Sequence, residues 1–293
     1  LDSIDGATTI LRRYLTNQQL FEICRRNFSD FEREIEALSS SYSQDYNLEW
    51  SYVSGMVVAV NMRILNLLSS IRTYLDHTEA RLKRTFGADS RQVNSFKEST
   101  AHEYDNCFSY RFVYRLRNFT QHCGMPLGRI LTKSDLNLGH ESSATHYIDF
   151  FFERDHLLAQ FDSWGNPVKG ELSALPEYFA IGPHLKSTMD CLHCIDTVVQ
   201  EMNETELEAA LANVDKFLNE AAETEGVACI VKDLWIDVDA ATGRPIANMN
   251  LQRFHTHVIE EARAVIRRRR QEFLDKPAHQ KYAEGWERVF GKK

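Results

Sequence analysis

Arg117 and His122 are two residues whose side chains could carry out phosphodiester chemistry, and they lie near the end of one predicted helix. A histidine exchanges a proton near neutral pH and can therefore act as a general acid or base. An arginine binds a phosphate in a bidentate fork and stabilises the negative charge that develops on it. Cleavage of RNA through its 2′-hydroxyl needs these functions and no metal. One histidine is too few for both proton transfers, unless water or a second copy of the helix contributes; a symmetric dimer would bring two such pairs to one groove.

The helix that carries this pair is predicted over residues 91–123, because its apolar residues recur at steps of three and four. Gly124 can take the left-handed conformation that ends a helix, and Pro126 prevents its continuation. The apolar stripe is the expected core face, and it consists of Phe108, Phe112, Leu116, Phe119 and Cys123.

A second stripe lies roughly opposite the apolar one and contains Tyr110, Tyr114, Arg117 and Gln121. Tyrosine and arginine are enriched at interfaces, so this stripe predicts a partner or RNA-binding surface, to which we also assign Arg111 and Arg115. The alternative is an ordinary surface helix whose long side chains pack along their aliphatic stems.

A long helix over residues 48–86 precedes this one, and a short turn near 87–90 makes the two an antiparallel pair. Residues 50–61 are therefore expected near His122, and Asp76, His77 and Glu79 far from it. Further helices are predicted over 8–39, 176–202, 203–223 and 251–274. Residues 127–145 are predicted as a polar loop. Two strands, at 147–152 and from 227 towards 238, are expected to pair with each other.

Composition places the chain among ordinary globular proteins. Its 293 residues carry 34 basic and 42 acidic side chains, a net charge of −8, which argues against a protein that coats nucleic acid broadly. No apolar run is longer than the five residues of Met56–Val60, which is too short for a transmembrane helix. Six scattered cysteines fit reduced thiols in a cytoplasm, and the lone pair Cys191 and Cys194 indicates buried thiols more than a zinc site. Phosphate-binding glycine loops, serine-hydrolase elbows and zinc-protease motifs are lacking from the sequence.

The segment Arg117-Asn-Phe-Thr-Gln-His122 resembles the Arg-x4-His motif of the HEPN superfamily, in the form with a polar residue directly after the arginine. HEPN domains are helical bundles with the motif on a late helix of an antiparallel pair. Many are metal-independent ribonucleases that work as dimers in toxin–antitoxin, abortive-infection and phage-defence systems, and others are inactive adaptors. The resemblance implies that Arg117 and His122 are catalytic and that Asn118 orients them. Where some toxins of the superfamily have tyrosine two residues after the histidine, this chain has Gly124.

The sequence therefore predicts a mainly α, HEPN-like helical bundle with a small α+β elaboration in the second half. We expect a HEPN-like domain over residues 1–135, with its core at 48–125, and a second region of unknown function over 136–293. The predicted protein is a cytoplasmic, dimeric endoribonuclease that needs no cofactor or metal, leaves 2′,3′-cyclic phosphate ends and is regulated by an antitoxin or another protein. The alternative is a non-catalytic HEPN-like module that dimerises or binds a partner.

Overall fold

A computed structural model describes residues 2–44, 49–136, 144–222, 229–253 and 256–274 of the chain. Over these residues the protein is mainly helical, as predicted, with two small antiparallel sheets. The helices are α1 (Asp2–Gln44), α2 (Trp50–Phe86), α3 (Arg91–Asn106), α4 (Phe108–His122), α5 (Arg154–Gln160), α6 (Asn166–Ser173), α7 (Ile181–Ala222) and α8 (Thr256–Leu274). The strands are β1 (Arg129–Leu136), β2 (Ala144–Glu153), β3 (Tyr178–Ala180), β4 (Cys229–Val238) and β5 (Pro245–Arg253).

The chain forms two compact units. The larger unit comprises Gln19–Met202, and the smaller one combines Leu1–Gln18 with Asn203–Lys293. The predicted boundary at residues 135/136 falls inside the larger unit, within the hairpin that β1 and β2 form. Because paired strands share their backbone hydrogen bonds, the two strands of that hairpin belong to one unit.

The helical part of the larger unit follows the sequence pattern closely. α2 buries an apolar face that includes Val60, Ile64 and Leu67, and it ends at Gly87, whose φ of 92° favours glycine. Ser90 caps the next helix, because its hydroxyl accepts a hydrogen bond from the Val93 backbone N–H at 3.3 Å. The predicted antiparallel pair and its short turn are therefore confirmed on the α2–α3 side.

The second predicted helix, 91–123, is interrupted at Cys107, which corrects the prediction of one continuous element. Cys107 has φ −122° and ψ 110°, which is extended backbone, and it separates α3 from α4. Backbone hydrogen bonds still connect Cys107 to the helical turn on each side. Its N–H donates to the Glu103 carbonyl, and its own carbonyl accepts from the Arg111 N–H. The sequence has neither glycine nor proline here, so the local pattern gave no signal of the break.

Residues 127–145 were predicted as a loop, yet residues 129–136 form β1, which pairs with β2 from Arg129↔Phe151 to Leu136↔Ala144. The short β3 pairs with the other edge of β2, through Phe152↔Phe179. The polar residues of β1 interrupt the alternation of apolar and polar side chains from which strands are predicted, so the sequence did not predict this strand. Gly128 directly precedes this strand at a tight contact, because a Cβ on it would lie 2.4 Å from the Glu153 Cβ.

The smaller unit has its own apolar core from α1, α7 and α8, which includes Leu11, Val214 and Ile259. β4 and β5 pair with each other, so the two strands predicted to pair lie in different sheets. The helix predicted to begin at residue 203 is the continuation of α7, because apolar residues at helical spacing continue past that point.

Among the described helices, α2 alone is long and apolar enough to cross a membrane by length and composition. Within its most apolar window, 44% is buried inside the protein. A buried core helix of a soluble protein passes the same test, so the structure is consistent with a soluble protein.

Candidate functional site

α4 carries the candidate site, and an aromatic cluster fixes its position. Phe112 is fully buried, with its ring centroid 5.3 Å from that of Phe152 and 5.7 Å from those of Trp164 and Phe179. These partners come from β2, β3 and the segment between α5 and α6. The apolar stripe predicted for the helix is confirmed, because Phe112, Leu116 and Phe119 are all fully buried.

The last turn of α4 is held separately. The fully buried Phe119 ring lies 6.0 Å from Trp164, 6.3 Å from Phe161 and 6.0 Å from His156. The Phe119 carbonyl accepts backbone hydrogen bonds from Cys123 at 2.8 Å and Gly124 at 3.3 Å, which closes the helix. The polar residues on this turn are thus presented from a rigid support.

The predicted catalytic residues lie together on these final turns. Arg117 and Asn118 are half-buried, while Gln121 and His122 are exposed. In the part of the chain that the structure describes, no ion pair or side-chain hydrogen bond engages any of these four side chains. A half-buried guanidinium without an intramolecular carboxylate is free to bind an anion.

Tyr110 and Arg111 do not lie on this surface, which corrects their assignment to a partner or RNA-binding surface. Tyr110 is 3% exposed and belongs to the core. Arg111 is 8% exposed; its guanidinium forms an ion pair with Glu171 of α6 and donates to the Tyr104 carbonyl at 2.6 Å. The first two turns of α4 are enclosed by neighbouring elements, so their second stripe packs within the protomer.

Tyr114 and Arg115 line a different feature, a surface groove of about 460 Å³ between α2, α3 and α4. Arg72 donates to the Tyr114 hydroxyl at 2.5 Å, and its guanidinium carbon lies 5.4 Å from the Tyr114 ring centroid. Arg115 donates to the Tyr104 hydroxyl at 3.3 Å. The sequence pattern had not singled out Arg72 or Tyr104; only the antiparallel pairing of α2 with the following helix placed them near α4.

The start of α2 lies near the end of α4, as the antiparallel arrangement predicted. Asn61 is 6% exposed and its Oδ1 accepts a hydrogen bond from the Leu127 backbone N–H at 3.0 Å. This bond fixes the chain just after the candidate site. Asp76 lines the groove with Tyr114 and Arg115 and pairs with Arg72 at 2.8 Å.

Cys191 and Cys194 are both buried in α7. The Cys194 thiol donates to the Asp190 carbonyl at 2.7 Å, one turn earlier. Over the described residues, His, Cys, Asp and Glu nowhere form a group of three or more able to hold a metal ion.

Comparison with known proteins gives no relative: no protein-family model, curated protein or solved structure matches this chain.

Proposed function

We propose that the protein is a metal-independent endoribonuclease of HEPN type that acts as a dimer. The observation that carries the proposal is the arrangement on the last turns of α4, where a half-buried Arg117 and an exposed His122 have no ion-pair or side-chain hydrogen-bond partner among the described residues. Buried Phe119 fixes the turn that presents them. The resemblance of this segment to the Arg-x4-His motif supports the same interpretation.

In the proposed reaction, His122 of one protomer removes the proton of a ribose 2′-hydroxyl, and the oxygen attacks the adjacent phosphorus. The bond to the 5′-oxygen breaks, and the same residue of the second copy protonates that leaving oxygen. Arg117 stabilises the charge on the phosphorane, and Asn118 orients the Arg117 and His122 side chains. The products are a 2′,3′-cyclic phosphate and a 5′-hydroxyl.

The test uses purified full-length protein with labelled stem-loop and single-stranded RNAs in EDTA. We expect Arg117→Ala and His122→Ala each to lower the cleavage rate by about 10²–10³-fold. The matched controls are Arg84→Ala and His77→Ala, which remove an exposed arginine and histidine from α2. They are expected to cleave at the wild-type rate, and circular dichroism confirms that each variant is folded.

Equal cleavage by the wild type and both α4 variants would contradict the proposal. A folded wild type that is inert towards all RNAs, also with cell extract added, would favour the alternative of a HEPN-like binding module. Size-exclusion chromatography with light scattering tests the dimer independently, and a monomer at the concentration of the cleavage assay would contradict the shared site.

We also propose a defence- or toxin-related role, controlled by an antitoxin or another regulatory protein. Induced expression of the wild type is expected to arrest growth, whereas His122→Ala at equal abundance is not. Equal growth of both strains would oppose this role without bearing on cleavage in vitro.

A further inference from the structure

The surface groove of about 460 Å³ between α2, α3 and α4 lies entirely within the larger unit. Buried Leu75 and Phe96 form part of its lining, together with the half-buried rings of Tyr104 and Tyr114, whose centroids are 6.0 Å apart in an edge-to-face contact. Sites for small molecules commonly enclose about 300–1,000 Å³ and have mostly apolar and aromatic walls. The groove therefore has the size and the walls of a site for a small aromatic ligand.

The charged side chains that line the groove leave it with an excess of cations. The basic ones are Arg72, Lys97 and Arg115, and the carboxylates are Asp76 and Glu79. Asp76 pairs with Arg72 at 2.8 Å, and Glu79 pairs at 2.8 Å with a lysine one turn further along α2. Among the described residues, no carboxylate pairs with Lys97 or Arg115. Because both acids are already engaged, the two remaining cations favour an anionic ligand.

Neighbouring groups hold the Arg115 side chain in place. Its Nε donates to the Tyr104 hydroxyl at 3.3 Å, and a Cβ on Gly165 would lie 3.6 Å from its Nη2. In the part of the chain that the structure describes, neither terminal nitrogen of this guanidinium donates a hydrogen bond. Two N–H groups of a guanidinium match two oxygens of a phosphate, so Arg115 can bind a phosphate group through these nitrogens.

Tyr110 also lines the groove, although it is only 3% exposed. Its hydroxyl makes no hydrogen bond to another described residue. Burial is the largest cause that raises the pKa of Tyr110, so the hydroxyl stays protonated and can donate a hydrogen bond. A buried hydroxyl without a partner costs free energy. A ligand that brings a polar atom to this point would therefore gain a hydrogen bond that the protein alone does not supply.

We propose that the groove binds a nucleoside monophosphate, either free or as one unit of an RNA strand. Arg115 and Lys97 bind its phosphate, and its base lies among Tyr104, Tyr110 and Tyr114. A base stacks on aromatic side chains and carries hydrogen-bond donors and acceptors around its edge, so it can pair with the Tyr110 hydroxyl. A phenyl ring or an aliphatic chain would leave that hydroxyl unpaired.

The groove lies on the helix that also carries the candidate catalytic pair. Tyr114, Asn118 and His122 follow one another at four-residue steps along one side of α4, and the helix rises by about 10 Å from Arg115 to His122. An RNA strand held in the groove can therefore extend along α4 to the candidate site. The nucleotide site rests on its own contacts and holds whether or not the protein cleaves RNA.

The experiment measures binding to the full-length protein by isothermal titration calorimetry. The probes are the four 5′-ribonucleoside monophosphates, adenosine, inorganic phosphate, phosphotyrosine and a 2′-O-methyl RNA hexanucleotide, which cannot be cleaved through its 2′-oxygen. We expect at least one mononucleotide to bind with one site per chain. Adenosine and inorganic phosphate are each expected to bind at least about tenfold more weakly, because each lacks one of the two groups that the groove contacts.

Variants assign the binding to the groove. Arg115→Gln and Lys97→Gln are expected to weaken mononucleotide binding, the first by at least about tenfold, because each removes a cation from the phosphate. Tyr110→Phe is expected to weaken binding several-fold without lowering the urea unfolding midpoint, since the hydroxyl that it removes has no partner among the described residues. The matched controls Arg91→Gln and Tyr147→Phe change exposed residues outside the groove and are expected to bind as the wild type does.

The hexanucleotide distinguishes the two sources of the ligand. Binding at least tenfold tighter than that of any mononucleotide, and weakened by Arg115→Gln, would assign the site to an RNA strand; equal or weaker binding would assign it to a free nucleotide. Both results uphold the site, also in a protein that fails to cleave RNA.

Three results would overturn the proposal. The folded wild type would bind neither the mononucleotides nor the hexanucleotide at millimolar concentration, or inorganic phosphate or phosphotyrosine would bind as tightly as the best mononucleotide. The third is nucleotide binding that Arg115→Gln, Lys97→Gln and Tyr110→Phe all leave at the wild-type affinity.

Discussion

The ion pair between Arg111 and Glu171 fixes the first half of α4 against α6. It allows us to predict which of the two partners lowers the free energy of unfolding more when it is replaced. The Arg111 side chain is 9% exposed, whereas the Glu171 side chain is 40% exposed. Arg111 Nε donates to Glu171 Oε2 at 3.0 Å, Nη2 donates to Oε1, and Nη1 donates to the Tyr104 carbonyl at 2.6 Å. The buried cation therefore depends on a carboxylate that is itself partly hydrated.

Glu171→Ala leaves the buried guanidinium with one of its three hydrogen bonds. Removing one partner of a fully buried pair costs about 3–5 kcal/mol, and because water reaches the Glu171 side we expect about 2–3 kcal/mol here. Arg111→Met removes the charge instead, and the remaining carboxylate can be hydrated. Its main cost is the lost bond to the Tyr104 carbonyl, about 1–2 kcal/mol.

Urea unfolding followed by tryptophan fluorescence measures the free energy of unfolding of each variant. Trp164 reports on it because this residue of the larger unit is fully buried in the same core. Glu79→Ala, which breaks the exposed pair with Lys83 at 2.8 Å, is the control and is expected to cost at most about 0.5 kcal/mol. The reasoning fails if Glu171→Ala costs no more than this control, or if Arg111→Met is the more damaging of the two.

Three further predictions concern the core, a tight backbone contact and the thiols. Phe112→Ala removes the ring at the centre of the aromatic cluster and is expected to cost about 3–5 kcal/mol in the same unfolding assay; a cost below that of Glu171→Ala would contradict the central position of Phe112. Gly128→Ala places a methyl group against the Glu153 backbone and is expected to cost about 1–3 kcal/mol, so an unchanged midpoint would show that β1 is not held this closely. Iodoacetamide at pH 6 is expected to modify Cys107, whose pKa the Cys191 thiol chiefly lowers to about 5, far faster than Cys24, whose pKa burial raises to about 12. Alkylation of Cys107 that rises only above pH 8 would contradict this lowered pKa.

The helical part of the fold was predictable because its signals are local. The spacing of the apolar residues predicted α2 and the buried stripe of α4, while Gly87 and Ser90 indicated the turn between α2 and α3. β1 was missed because its polar residues lack alternation, and its strand character comes from pairing with β2. The break at Cys107 has no local signal in the sequence, and only the folded chain shows that the Cys107 Sγ lies 3.4 Å from the Ser187 Oγ of α7.

The candidate site was predictable in part. Helical geometry placed Arg117, Asn118, Gln121 and His122 on the final turns of α4, and the structure presents them there. The same geometry could not tell an exposed second stripe from a buried one. Tyr110 and Arg111 are enclosed because neighbouring elements cover that part of the helix, and only the tertiary structure contains that information.

The most direct test of the central claim is the chemistry of the RNA ends produced in EDTA by wild type and His122→Ala. We predict that the wild type generates 2′,3′-cyclic phosphate and 5′-hydroxyl ends and that His122→Ala loses this product, while His77→Ala retains it. Cleavage that requires a divalent metal, or that leaves 3′-hydroxyl ends in the wild type, would contradict the assignment of Arg117 and His122 as a metal-independent catalytic pair.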